Sequence, residues 1–283
     1  MSYVKTLLKK IYHLAAGFAV SCAHASEIHD AVKNGENDKL KKLISDSNEL
    51  LRETDPDGWT PLHFAVVFGK FDAANFLISS GADINARSAD GTSPLHLAIE
   101  KNEREMIELL IKSGASINIV NNDGETALVQ SINLGYEELA AHLIASGADV
   151  NIAENLGEAP LHLSARYDYS DLVCALIEKG ANINARTRYG NTALYYAVNM
   201  ENIDMINLLI AKGASVNIKD DNGWTLVHEA VEKQNIEMLH ILLSRGADPN
   251  AADTNGETPM SIAGEAENDE IIEILKHYEK KGN

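Results

Sequence analysis

Two series of glycines recur every 33 residues through most of this chain of 283 residues. The first series is Gly58, Gly91, Gly124, Gly157, Gly190, Gly223 and Gly256, and the second is Gly81, Gly114, Gly147, Gly180, Gly213 and Gly246. Self-similarity at a fixed period of about 20–50 residues is the signature of repeat proteins, in which each unit packs only against its neighbours. The spacing therefore favours a stack of repeated units over one globular core.

The segment around Gly58 shows how one unit folds. An Asp-Gly pair supplies the positive φ angle of a tight turn. Thr60 then offers a hydroxyl that caps a helix, and Pro61 has the fixed φ of a first helical residue. We predict a first helix over about 60–68 and a second over about 71–79, closed by a glycine of the second series. Each unit is thus a turn followed by two helices.

Two further positions recur with the same period. One is always leucine, at Leu77, Leu110, Leu143, Leu176, Leu209, Leu242 and Leu275. The other is always small, at Ala65, Ala98, Ser131, Ser164, Ala197, Ala230 and Ala263. Leucines in this pattern are typical of a core, and the small residues indicate close contact between neighbouring repeats. A larger side chain at the small position is expected to overpack the stack.

The run Thr60, Pro61, Leu62, His63 resembles the signature of the ankyrin repeat, and this resemblance covers about nine-tenths of the chain. It implies an all-α repeat solenoid of turn loops and antiparallel helix pairs that binds other proteins without catalysis. It also implies that four histidines hydrogen-bond to nearby backbone and bind no metal. These are His63, His96, His162 and His228. Departures from the signature at Ala127, Ala159, Ala193 and Leu226 weaken individual helix starts without breaking the period.

The repeat register divides the chain into four segments. Residues 1–25 precede the repeats, and 26–56 match the repeat loosely as a divergent N-terminal capping repeat. Six ankyrin repeats occupy 57–254, and 255–283 form a C-terminal capping repeat with a charged tail. Altered ends are expected because a stack must close its apolar faces against water.

The first 25 residues have the layout of a signal peptide. Three lysines precede an apolar run over about residues 11–20, and small residues end at Ala25, the expected cleavage site. The chain is therefore expected in the periplasm or outside the cell. An amphipathic helix on a cytosolic protein is the alternative, and lipidation at Cys22 lacks the usual leucine three places earlier. The run is too short for a bilayer span of about 20 residues, so we expect no stable membrane insertion of the mature chain.

Net charge limits the classes of partner. The chain carries −18 overall, and the part after residue 25 carries −21 because the first 25 residues hold three lysines and no acid. Such a body repels phosphate backbones, which argues against nucleic acid. We find no phosphate-binding glycine loop, no paired Cys-x-x-Cys and no nucleophile elbow. We therefore expect no enzyme, no cofactor and no metal, although an enzyme site unrelated to the repeat is the remaining alternative.

A partner surface is predicted from large side chains at two variable positions of the repeat, the residue after the turn glycine and the end of the first helix, and from residues beside them. The predicted partner-binding residues are Trp59, Phe68, Leu134, Arg166, Tyr167, Arg188, Tyr189, Met200 and Trp224. Arg166, Tyr167, Arg188 and Tyr189 are expected to form a basic and aromatic island, with Tyr167 and Arg188 exposed. The two tryptophans equally fit a role in bracing adjacent turns. We expect a monomer that binds protein, or a secreted effector that acts on a host or competitor protein.

Overall fold

The computed structural model describes residues 26–280, which form α-helices in pairs, one short 3₁₀ turn and, within this range, no β-strand. The predicted signal peptide, the cleavage site at Ala25 and Cys22 lie outside the described residues. The helices are α1 Glu27–Asn34, α2 Asn37–Asp46, α3 Pro61–Val67, α4 Phe71–Ser79, α5 Pro94–Lys101, α6 Arg104–Lys112, α7 Ala127–Asn133 and α8 Glu137–Ala145, then α9 Pro160–Arg166, α10 Ser170–Glu178, α11 Ala193–Asn199, α12 Ile203–Ala211, α13 Leu226–Glu232, α14 Ile236–Ser244, α15 Pro259–Glu265 and α16 Asp269–Glu279. The 3₁₀ turn, Asn48–Arg52, follows α2.

The described residues fall into two compact units. Unit 1 comprises 26–149 with helices α1 to α8, and unit 2 comprises 150–280 with helices α9 to α16. Within each unit the first helix of a repeat packs on the second helix of the same repeat and on the first helix of the next. The predicted all-α repeat architecture is confirmed. The division into capping and internal repeats stays a prediction.

The local signals place the helices where the sequence predicts them. The two predicted helices at 60–68 and 71–79 are observed as α3 and α4. Gly69 has φ 63° after α3 and Gly81 has φ 93° after α4, so both stand in the left-handed region where a side chain is strained. Each helix therefore ends where glycine permits the chain to reverse.

The two recurring positions form the core of both units. All seven leucines are fully buried, and all seven small residues are fully buried. Because no space remains beside them, the prediction that the small position tolerates no larger side chain stays in force and is testable by substitution.

Four repeated histidines tie their own first helix to the loop or turn that leads into the next repeat. Nδ1 of His63 accepts a hydrogen bond from the backbone N–H of Thr60 at 3.1 Å, and Nε2–H donates to the carbonyl of Thr92 at 3.1 Å. His96 and His228 bond in the same way across 29 residues, whereas His162 donates to the carbonyl of Ala185. Nδ1 accepts from a backbone N–H in each case, which fixes the neutral tautomer with its proton on Nε2.

Two serines at the small position give a matched test of hydroxyl burial. Ser131 Oγ donates to the carbonyl of Leu128 at 2.7 Å, whereas Ser164 Oγ is buried without a hydrogen-bond partner. We expect Ser164→Ala to raise the free energy of unfolding by about 1 kcal/mol, because it removes a desolvated hydroxyl. Ser131→Ala should lower it by about 1 kcal/mol. Urea unfolding of both variants checks this, and equal effects of the same sign would contradict it.

Candidate protein-binding surface

The predicted partner-binding residues differ widely in exposure. Tyr189 is 61% exposed and Met200 is 60% exposed, and Arg188 is also exposed. Partly buried are Trp59, Phe68, Leu134, Arg166, Tyr167 and Trp224. Tyr167 and Arg188 were expected to be exposed. Arg188 is exposed, whereas Tyr167 is partly buried. The predicted partner-binding residues therefore fall into two groups. Some are fully accessible to a partner, and the others are partly buried within the protein.

Both tryptophans brace their own repeat. The Trp59 ring stacks on His63 with 6.3 Å between ring centroids, and Trp224 stacks on His228 at 4.8 Å. The indole N–H of Trp224 also donates to Oε2 of the buried Glu229 at 3.3 Å. These contacts favour the bracing role for the tryptophans over the binding role.

Arg166 is not the free basic residue that the predicted island requires. Its Nη1 contacts Oε1 of Glu158 at 2.5 Å, and its guanidinium lies 5.0 Å from the ring centre of Tyr167 and 5.5 Å from that of Tyr196. Burial lowers the pKa of Arg166, but the charge and hydrogen-bond contributions of Glu158 and Tyr167 together outweigh it, and the net pKa is raised. The island is therefore less basic than predicted, because one of its two arginines is neutralised.

Glu158 is the centre of a buried network in unit 2. Only 8% of Glu158 is exposed, and the phenol of Tyr196 donates to its Oε1 at 2.5 Å. Burial, followed by this hydrogen bond, raises the pKa of Tyr196 above its ordinary value. Burying a carboxylate costs free energy unless it is paired and hydrogen-bonded, and here it is both. The network fixes the side chains on the first-helix side of two consecutive repeats in unit 2.

Three turn residues of unit 2 form an exposed cluster that we name the tip patch: Leu156, Arg188 and Tyr189. Leu156 is 47% exposed and was missed by sequence analysis. The backbone N–H of Arg188 donates to the carbonyl of Leu156 at 3.0 Å, which joins the turns of consecutive repeats. The sequence did contain a signal for Leu156, because leucine replaces the aspartate that precedes the turn glycine in the three earlier repeats. The tip patch therefore brings two large exposed side chains with apolar surface and one cation onto adjoining turns.

The remaining chemistry of the described residues is limited. A cavity of about 10 Å³ in unit 2, beside Tyr195 and Trp224, has room for no more than one water molecule. Residues 26–280 contain no group of three or more histidine, cysteine, aspartate or glutamate side chains placed to hold a metal ion. In the same range, none of the helices combines the length and apolar character that a bilayer span requires.

A family model described as ankyrin repeats, in three copies, matches nearly the whole chain. The matches cover residues 12–88, 28–121, 87–154, 114–187, 131–220, 186–253 and 215–283. The chain belongs to the ankyrin repeat family. Ankyrin repeats are in general a non-catalytic module for protein interaction, and the helix pairs described above are those of this family.

Curated relatives match the ankyrin repeats over short segments. Inversin of Gallus gallus is 43% identical over 61 residues, which are 22% of this chain and 6% of that protein. Protein phosphatase 1 regulatory subunit 27 of Mus musculus is 41% identical over 59 residues, 21% of this chain and 38% of that protein. DNA-binding protein RFXANK of Homo sapiens is 38% identical over 56 residues, 20% of this chain and 22% of that protein. The matched segments span well under half of each relative.

Proposed function

We propose that this chain is a non-catalytic scaffold that binds a partner protein through the tip patch of unit 2. The observation that carries the proposal is the exposure of Leu156 and Tyr189 on adjoining turns that a backbone hydrogen bond of Arg188 joins. Exposed large apolar side chains that cluster on a folded protein mark interaction sites more often than chance positions do. Membership of a protein-interaction family supports the same reading.

The composition of the tip patch fits the energetics of protein interfaces. A few tyrosine and arginine side chains contribute most of the binding free energy in such interfaces, surrounded by residues that exclude water. Tyrosine also loses little conformational entropy on binding because it has two side-chain torsions. The buried network around Glu158 supports the proposal because it holds the neighbouring Arg166 and Tyr196 in fixed positions, which lowers the ordering cost of association.

A quantitative capture experiment tests the proposal. The immobilised wild-type chain and a Leu156→Ser, Tyr189→Ser variant are exposed to an extract of the native source, and retained proteins are quantified by mass spectrometry. We expect the variant to retain the specific partner at least tenfold less, because each anchor contributes about 1–2 kcal/mol. Exposed substitutions of this kind change folding stability by about 0.5 kcal/mol or less, which thermal unfolding checks.

The matched control is Phe71→Ser in unit 1. Phe71 is 41% exposed, so its removal changes exposed apolar area without touching the tip patch. Equal retention by wild type, the double variant and the control would contradict the proposed site. Loss of the partner in the control alone would place binding in unit 1, where Trp59, Phe68 and Leu134 stand as predicted partner residues.

We propose in addition that the protein is exported, on the basis of its lysine-rich and apolar first 25 residues. N-terminal sequencing of the mature protein tests this. A first residue at Ser26 supports export, and an intact Met1 in the soluble cytosolic fraction contradicts it.

The origin of the partner captured from the extract distinguishes a scaffold from an effector. A partner from the producing cell indicates an ordinary scaffold, and one from a host or competitor indicates an effector.

A further inference from the structure

The guanidinium of Arg188 is a cation without an ion-pair partner among the described residues of an acidic protein. Four other arginines of the described residues are occupied: Arg87 donates to Asn122, and Arg104, Arg166 and Arg186 pair with Glu138, Glu158 and Asp221 respectively. The Arg188 side chain is exposed and makes no hydrogen bond or ion pair within residues 26–280. Its backbone is nevertheless fixed, because its N–H bonds to the carbonyl of Leu156. The guanidinium is therefore carried on a fixed backbone and remains available to a partner.

The tip patch has large side chains with apolar surface at the repeat position where unit 1 has aspartate. Aspartates Asp57, Asp90 and Asp123 occupy the position before the turn glycine in unit 1, and this position holds Leu156 and Tyr189 in unit 2. A guanidinium beside apolar groups is less well hydrated than one in open solvent, so a partner carboxylate gains more from pairing with it. The geometry of the planar guanidinium suits two parallel hydrogen bonds to such a carboxylate.

The net charge of the whole chain restricts the rest of the partner. The part of the chain after residue 25 carries −21, so a partner segment that is acidic overall is repelled over distances of about a Debye length, roughly 8 Å at physiological salt. A phosphate group carries about −1.5 to −2 and is repelled more than a single carboxylate. The combination favours one carboxylate within a segment that is otherwise basic or neutral.

From these observations we infer that the tip patch recognises a net-basic segment of a partner protein that carries one carboxylate next to a large apolar side chain. The carboxylate pairs with Arg188, and the apolar side chain packs between Leu156 and Tyr189. This inference rests on the proposed function and adds the chemistry of the partner to it. It also assigns Arg188 the role of selecting charge, while the two apolar residues supply contact area.

Selection from a phage-displayed library of random 12-residue peptides tests the inference while the natural partner is still unidentified. Wild-type chain should enrich peptides with Asp or Glu within two positions of an aromatic or large aliphatic residue and with a net positive charge. Arg188→Glu should enrich Lys or Arg at the same place instead. Arg245→Glu is the matched control, since it reverses another exposed arginine of unit 2 outside the tip patch, and it should keep the wild-type preference.

Synthetic peptides then measure the effect. We expect the best wild-type peptide to bind Arg188→Glu at least tenfold more weakly, and the same peptide with its carboxylate replaced by lysine to recover binding to that variant. Selection without an acidic residue, or an unchanged preference in Arg188→Glu, overturns the inference. Tighter binding of a phosphoserine peptide than of its glutamate counterpart also overturns it in favour of a phosphorylated partner. If native capture still depends on Leu156 and Tyr189 in either case, the proposed function stands while this inference fails.

Discussion

The free energy of unfolding should fall steeply as the pH drops from 6.5 towards 4, because buried histidines of the repeat resist protonation in the folded chain. Burial lowers the pKa of His63 from 6.5 to about 4. The same cause lowers the pKa of His29, His96, His162 and His228. The geometry explains the direction, since Nδ1 of His63 accepts the N–H of Thr60 and has no room for a proton.

The sign follows from the two states of the chain. The unfolded chain takes up a proton at each histidine near pH 6.5, whereas folded His63 does so only near pH 4. The stability that neutral His63 supplies is therefore complete above pH 6.5 and is lost as the pH falls through this window. At about 1.36 kcal/mol per pKa unit, His63 alone accounts for a loss of about 2 kcal/mol between pH 6.5 and 5, and about 3 kcal/mol by pH 4. The other buried histidines add losses of the same sign.

Urea unfolding at pH 7.5 and pH 5 measures the effect above the range in which most carboxylates titrate. His63→Gln lowers stability at pH 7.5, but its loss between the two pH values should be smaller than that of wild type by about 2 kcal/mol. His277→Gln, which removes an exposed ring, is the control and should lose as much as wild type. A His63→Gln variant with the full wild-type loss would show that the protons bind elsewhere.

The fold was predictable because the decisive signals lie within one repeat and recur in the others. Thr60 stands at the N-cap position of α3, and the left-handed glycines at Gly69 and Gly81 end the two helices of the repeat. Packing between repeats needs only the periodic leucines and small residues, which face neighbours 33 residues away. Because each repeat carries the same turn, helix and core signals, the architecture can be predicted from the sequence alone.

The candidate site was predictable only in part, because its pairings are specific to two repeats. Arg166 looked basic in the sequence, but the carboxylate that neutralises it comes from Glu158, and the phenol of Tyr196 completes the network from 38 residues away. Glu158 follows the turn glycine, at a position that varies between repeats and is partly exposed at Thr92, so the period does not predict its burial. Side-chain pairing across repeats depends on rotamers and distances, which periodicity does not contain.

Loss of the Glu158 carboxylate should be among the most destabilising single changes on the first-helix side of unit 2. Glu158→Ala leaves the Arg166 charge partly buried without its partner, and it removes the acceptor of the Tyr196 phenol. Breaking a buried ion pair from one side costs about 3–5 kcal/mol, and we expect a loss in this range. Arg166→Met should cost a similar amount, because it leaves the Glu158 carboxylate buried and uncompensated.

The double variant Glu158→Ala, Arg166→Met distinguishes a coupled network from two independent contacts. Removing both charges together leaves no uncompensated ion, so the double variant should lose less than the sum of the single losses by about 1–3 kcal/mol. Urea unfolding of the four chains gives this coupling free energy. Additive losses would mean that the close contact between Glu158 and Arg166 contributes nothing beyond packing.

Glu125→Ala is the matched control, because Glu125 occupies the same repeat position as Glu158 in unit 1 and bonds to a neutral group. Its Oε1 accepts from the amide of Asn133 at 3.1 Å, and the residue is only partly buried. The hydrogen bonds that its carboxylate accepts from Asn121 and Asn133 come from neutral amides, and the loss should be about 1–2 kcal/mol. An equal loss in Glu125→Ala and Glu158→Ala would attribute the effect to the repeat position. A larger loss of stability in Glu158→Ala would attribute the effect to the Arg166 guanidinium that is left without its carboxylate. The same variant should then bind the partner more weakly, because the side chains beside the tip patch are no longer fixed.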